Sequence, residues 1–175
     1  MSETRENNSG QANLTRLRFR RMRVAVTFLP ILILLTFFLG LRGAPGATSK
    51  TVIVLRPPQE TMIARFTVEI ADEPRKWAQG LMNRRSLAAG SGMIFIFPES
   101  EVQEFWMKDT LLPLDMLFAD AQGKIITIHE NAPPCLPPRT CPTYQSTAPV
   151  LYVLEINGGM SHKKGIRLGD FLQLR

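Results

Sequence analysis

Only two of the 175 residues are cysteine and only two are histidine. Cysteine this sparse excludes a disulfide-dense miniature scaffold, and a zinc site built on both cysteines would need two further ligands from a chain whose only histidines are His129 and His162. There is no G-x-S-x-G nucleophile elbow. Nor is there a glycine-rich phosphate loop at a strand-to-helix junction, since Gly90-Ser91-Gly92 leads into an apolar strand instead. Acidic residues are scarce at one end: residues 1–46 carry seven arginines against Glu3 and Glu6, whereas residues 47–175 carry 14 basic and 13 acidic groups. The net charge of +6 is therefore local. The nearly neutral remainder has no dense basic stripe with interleaved aromatics that could displace counterions from phosphates, so nucleic acid is not an expected partner. With 45% apolar and 21% charged residues, the chain is neither a disordered tail nor a collagen-like fibre.

What is present at the basic end is a run of 18 uncharged residues, Val24 to Leu41, of which 13 are Val, Ile, Leu or Phe. As a helix it would extend about 27 Å, close to the roughly 30 Å of a bilayer's hydrocarbon core. Pro30 is tolerated in such a helix where neighbours or water satisfy the freed carbonyl. Six arginines precede the run, so the positive-inside rule holds the N-terminus in the cytoplasm and sends the rest outside. The run exceeds the 7–15 residues usual for a signal peptide, which favours a retained anchor over a cleaved and secreted chain. The expected organisation is a basic cytoplasmic arm over 1–23, a transmembrane anchor or uncleaved signal over 24–41, a linker with a first short strand over 42–59, and one domain over 60–175. The expected location is a bacterial inner membrane, with the domain in the periplasm or outside.

Beyond the linker the pattern has mainly a period of two. Thr51–Leu55, Met62–Ala71, Val102–Lys108, Leu114–Phe118, Lys124–Glu130, Val150–Ile156 and Asp170–Leu174 read as strands. Met93–Phe97, apolar throughout, reads as a strand buried on both faces. Asp72 is a candidate cap for a short helix with Pro74 in its first turn and Trp77 and Leu81 on its buried side. Gly159–Lys164 is a candidate single turn closed by Gly165. These elements predict a β-dominated α+β domain: a single antiparallel sheet curled into a barrel-like form, with one or two short helices, behind the transmembrane helix.

Both cysteines lie in a proline-rich loop, NAPPCLPPRTCP, over residues 131–142. In an oxidising compartment a local Cys135–Cys141 disulfide is the expectation. A redox pair usually has two intervening residues rather than five.

The ordered blocks Arg75 with Gly80-Leu81-Met82 and Arg84, Gly92-Met93, Phe105-Trp106-Met107-Lys108-Asp109-Thr110, Pro113-Leu114-Asp115, the cysteine loop with Pro142 and Tyr144, Tyr152-Val153-Leu154-Glu155, and Gly165-Ile166 with Gly169-Asp170 resemble the prokaryotic family called domain of unknown function 192. The resemblance covers approximately residues 60–174. It implies a small β-rich domain, often behind a signal or anchor, with no established activity. The two-cysteine loop is similar to that of exported members.

Two kinds of site are expected. Strand alternation puts Trp106 and Lys108 on one face and Phe105 and Met107 on the other, so a tryptophan beside an ammonium, with Asp115, Tyr144 and Arg84 completing the rim, would offer a saccharide or peptide a flat apolar platform with a polar edge. The alternative is a packed Trp106 with Lys108 snorkelling past it. His129 with Glu130 or Asp115 would suit an envelope hydrolase, since imidazole can exchange a proton near neutral pH. A third reading makes the domain a structural envelope component. Binding is the preferred expectation, more so than an enzyme; no cofactor or metal is expected. The partners expected are the membrane and a saccharide or envelope-protein ligand.

Overall fold

A computed structural model describes residues 49–175. The expected arm, the apolar run over 24–41 and most of the linker lie outside the described residues. Among the described residues, no helix is long and apolar enough to cross a membrane.

Nine strands and two short helices follow one another as β1 (Ser49–Arg56), β2 (Thr61–Ala71), α1 (Pro74–Gln79), β3 (Ser91–Glu101), β4 (Glu104–Trp106), β5 (Leu114–Ala119), β6 (Ile125–Ala132), β7 (Thr143–Gln145), β8 (Val150–Asn157), α2 (Met160–Lys164) and β9 (Phe171–Leu174). Seven strands form one sheet in the order β6-β5-β8-β3-β2-β1-β9, and β4 pairs with β7 as a separate ribbon. The β-dominated α+β class is as expected. The strand read together with the linker, β1, is an inner strand of the sheet, between β2 and β9.

Two features of the expected sheet are corrected. It is not wholly antiparallel, because β2 and β3 run parallel. Parallel neighbours need a crossover, and residues 72–90 with α1 supply it. Nor is the sheet closed into a barrel. The edge strands β6 and β9 approach at one end only, through a single bridge between Lys124 and Phe171. Leu172 N–H donates to the Gly123 carbonyl there at 2.7 Å, and a Cβ on Gly123 would sit on the Leu172 carbonyl oxygen, so this approach requires glycine.

Both faces of the central strands are covered. Met93, Phe95, Met116, Phe118 and Val153 pack in one cluster, while Ile94, Leu117 and Leu154, alternating with them, pack in another with Phe66, Val68 and Ile125. This double burial is the reason Met93–Phe97 is apolar without alternation. A β-bulge in β6, where Phe118 and Ala119 face Thr127 and Ile125, separates two isoleucines that simple alternation places together: Ile126 packs on the first cluster and Ile128 on the second. Pro74 occupies the first turn of α1 as expected, but the residue before it is Glu73, and Asp72 does not cap the helix; its carboxylate instead takes the Lys76 ammonium at 2.8 Å.

Candidate functional site

The sequence Phe105-Trp106-Met107-Lys108 alternates across the chain as its pleat requires. Met107 is fully buried, whereas Trp106 stays 51% exposed with Lys108 Nζ 5.3 Å from its ring centroid. Phe105 points inward into a chain of aromatic edges: Phe95 at 4.9 Å and Phe118 at 5.5 Å, then His129 and Tyr144 beyond Phe118. The β4–β7 ribbon covers these rings, with Phe105 opposite Tyr144. Cys135 and Cys141 form the disulfide, and the Cys135 backbone bridges both Lys108 and Thr110. The bonded loop thus braces the segment that presents Trp106.

The other expected rim residues go elsewhere. Asp115 is fully buried and accepts hydrogen bonds from Asn131 N–H, Gly159 N–H and Ser161 N–H, each at 2.7 Å, and from the Ser161 hydroxyl at 2.5 Å. It organises the turn into α2. Tyr144, in the ribbon itself, meets the His129 ring edge-on with centroids 5.4 Å apart. Arg84 is committed to Glu69 through both guanidinium nitrogens, with Nη2 2.7 Å from Oε2.

The acid–base pair does not converge. His129 Nε2 lies 2.9 Å from the Gln145 carbonyl oxygen, while Glu130, next along the strand and so on its other side, lies 3.1 Å from Ser161 Oγ, whose closer partner is Asp115. Among the described residues no three His, Cys, Asp or Glu side chains gather as a metal-ligand set.

A different acid lies where chemistry is possible. Between the turn after α1 and the ribbon runs a small cleft of about 30 Å³, lined by Trp77, Gly80, Phe95, Phe105, Trp106 and Glu155. Glu155 sits in the middle of β8, opposite Met93 on one side and Met116 on the other. Its residue exposure is 5%, and Oε2 has no hydrogen-bond partner. Burial pushes the carboxyl up to about 8, the Arg84 charge opposing the shift. Trp77 is fixed by its indole N–H, which donates to the Ala71 carbonyl at 2.9 Å.

A larger groove of about 310 Å³, lined by Val52, Ile94, Ile96, Tyr152 and Leu172, contains no carboxylate, histidine, lysine or arginine. The smaller cleft carries the unpartnered buried carboxyl. Sequence reading passed over Glu155, Trp77, Phe95 and Phe105 as site residues, although a lone acid inside the apolar strand Val-Leu-Tyr-Val-Leu-Glu-Ile is itself a signal.

The profile of the family DUF192, described as Uncharacterized ACR, matches residues 55–174. A crystal structure named as a "putative transcription regulator" from Sinorhizobium meliloti is 39% identical with a TM-score of 0.68, covering 75% of this chain and 98% of its own. A protein of unknown function from Novosphingobium aromaticivorans is 31% identical with a TM-score of 0.66, covering 75% of this chain and 89% of its own. The search of curated proteins gave no match.

Proposed function

The chain belongs to the DUF192 family, a membership that supplies a fold and no chemistry, and from that premise we propose a membrane-tethered, extracytoplasmic binding domain that holds a saccharide or peptide ligand on the Trp106–Lys108 rim, with one small polar group of that ligand entering the aromatic cleft. One observation carries the reading: a buried carboxyl oxygen without a partner, aimed into a cleft walled by aromatic side chains. An unmet buried polar group costs about 1–3 kcal/mol, a cost that a ligand donor would remove. Trp106 is also the largest exposed aromatic surface among the described residues, at the position where a ligand would first make contact.

The tether rests on the apolar run over 24–41 and the arginines before it. The Cys135–Cys141 bridge suits an oxidising compartment. The regulator name of the Sinorhizobium protein does not enter the proposal, because residues 47–175 are almost neutral.

Binding is tested by a thermal-shift screen of envelope saccharides and peptides on the detergent-solubilised full chain, since a ligand of the folded state raises apparent stability by mass action. A hit should shift tryptophan fluorescence and be lost in Trp106→Ala. Affinity retained in that variant would remove the cleft from the reading. Sidedness is tested with protease on intact spheroplasts, where the domain should be digested without lysis.

A further inference from the structure

Resting on the binding reading, and deepening it, we infer that the cleft takes a primary ammonium group, with Glu155 as its counter-charge and the surrounding rings as its walls. The interior reachable to solvent is about 30 Å³, room for a group of one or two heavy atoms but not for a sugar ring. An ammonium fits that space.

The walls suit a cation. Trp77, Phe95, Phe105 and Trp106 line the cleft, and aromatic faces attract an ammonium by their quadrupoles. A hydroxyl could satisfy Glu155 Oε2 but would leave that attraction unused. Gly80 leaves the approach open: a Cβ there would stand 3.3 Å from Phe95 Cζ and 3.9 Å from Glu155 Oε2. Among the described residues the one cation acting on Glu155 is Arg84, and its guanidinium hydrogen bonds go to Glu69, so its charge favours the ionised carboxylate without supplying a donor to Oε2. Lys108 stands by the Trp106 ring, which shows that this indole accepts a cation.

The carboxyl must lose its proton when an ammonium takes its place. Because burial holds that proton up to about pH 8, with Arg84 opposing and Glu69 neutralising Arg84, ammonium binding is weak under mildly acidic conditions and strengthens as pH rises. An alkylammonium keeps its own charge throughout, since lysine-type amines titrate near 10.4.

The test titrates the full chain in detergent with n-butylammonium, Nα-acetyl-lysine amide, 1-butanol and glucose, followed by tryptophan fluorescence. Butylammonium should bind saturably, about tenfold more tightly for each pH unit between 6 and 7, and level off above about 8. Glu155→Gln, nearly isosteric, should weaken it at least tenfold at pH 8.5 and flatten the profile; the wild-type profile stands without any variant. Tighter binding of acetyl-lysine amide than of butylammonium would assign the group to a peptide lysine, and equal binding to a free amine. Butanol binding as well as butylammonium, or a flat wild-type profile, would overturn the inference. Glucose binding alone would overturn it while leaving the binding reading in place, and no response to any probe or to the envelope screen would remove both.

Discussion

Asp115 and Glu155 are buried carboxylic acids on adjacent strands of one sheet, and their surroundings could hardly differ more. The register pairs Asp115 with Ile156 and Glu155 with Met116, so the two side chains leave opposite faces. Asp115 meets three backbone N–H groups and a hydroxyl. Glu155 Oε2 meets none. Burial by itself therefore does not separate the two acids; the unmet hydrogen-bonding capacity does. The satisfied acid holds a turn together, and the unsatisfied one opens onto a cleft.

The comparison is broken first at Asp115. Asp115→Ala removes the acceptor of three backbone N–H groups, the buried one of Ser161 among them, and should cost on the order of 3 kcal/mol in urea denaturation of the solubilised chain. A loss below about 1 kcal/mol would show that the turn into α2 does not depend on it.

Glu155→Gln should act in the other direction. The unfolded carboxyl titrates near its ordinary 4.5 and the folded one near about 8, so the folded state holds the extra proton between those values. The contribution is fully present below about 4.5 and lost as pH rises through 8, with a slope of up to about 1.4 kcal/mol per pH unit. The variant should flatten that dependence, read as denaturation midpoints from pH 5 to 9. An unchanged slope would mean that Glu155 is not the group responsible.

A smaller effect is expected at the brace. Opening the Cys135–Cys141 ring with paired serine substitutions should cost roughly 2 kcal/mol by loop-closure entropy and loosen the segment that carries Trp106, seen as a red-shifted, more quenchable tryptophan emission. Smallest is Trp106→Ala, which should change stability by less than about 1 kcal/mol because half the side chain is already in water. A large loss there would return Trp106 to the core and remove the rim.

Much of the framework was legible from local pattern. Alternation located most strands of the sheet, the apolar run Met93–Phe97 announced its double burial, and Pro74 fixed the start of α1. The ribbon strand β7 was missed because Thr143–Gln145 is three residues long and polar at both ends, with too little period to read. The bulge in β6 was missed because alternation carries no sign of an inserted residue. At the site, strand parity put Trp106 and Lys108 on one face but left open whether that face met solvent or the core, which the 51% exposure of Trp106 decides. Asp115 was misplaced at the rim because a polar residue in an apolar strand reads the same whether it faces solvent or a ring of backbone donors.

By itself the sequence determined the β-rich class, the proline-rich cysteine loop and the parity that puts Trp106 and Lys108 on one face, since each follows from residues close together in the chain. Only tertiary structure decided that Arg84 is spent on Glu69, that Trp77 and Trp106 face one cleft from segments about thirty residues apart, and that Glu155 is left unpaired. Whether a buried polar atom is satisfied depends on donors brought from distant strands, and no local pattern encodes which of them arrive.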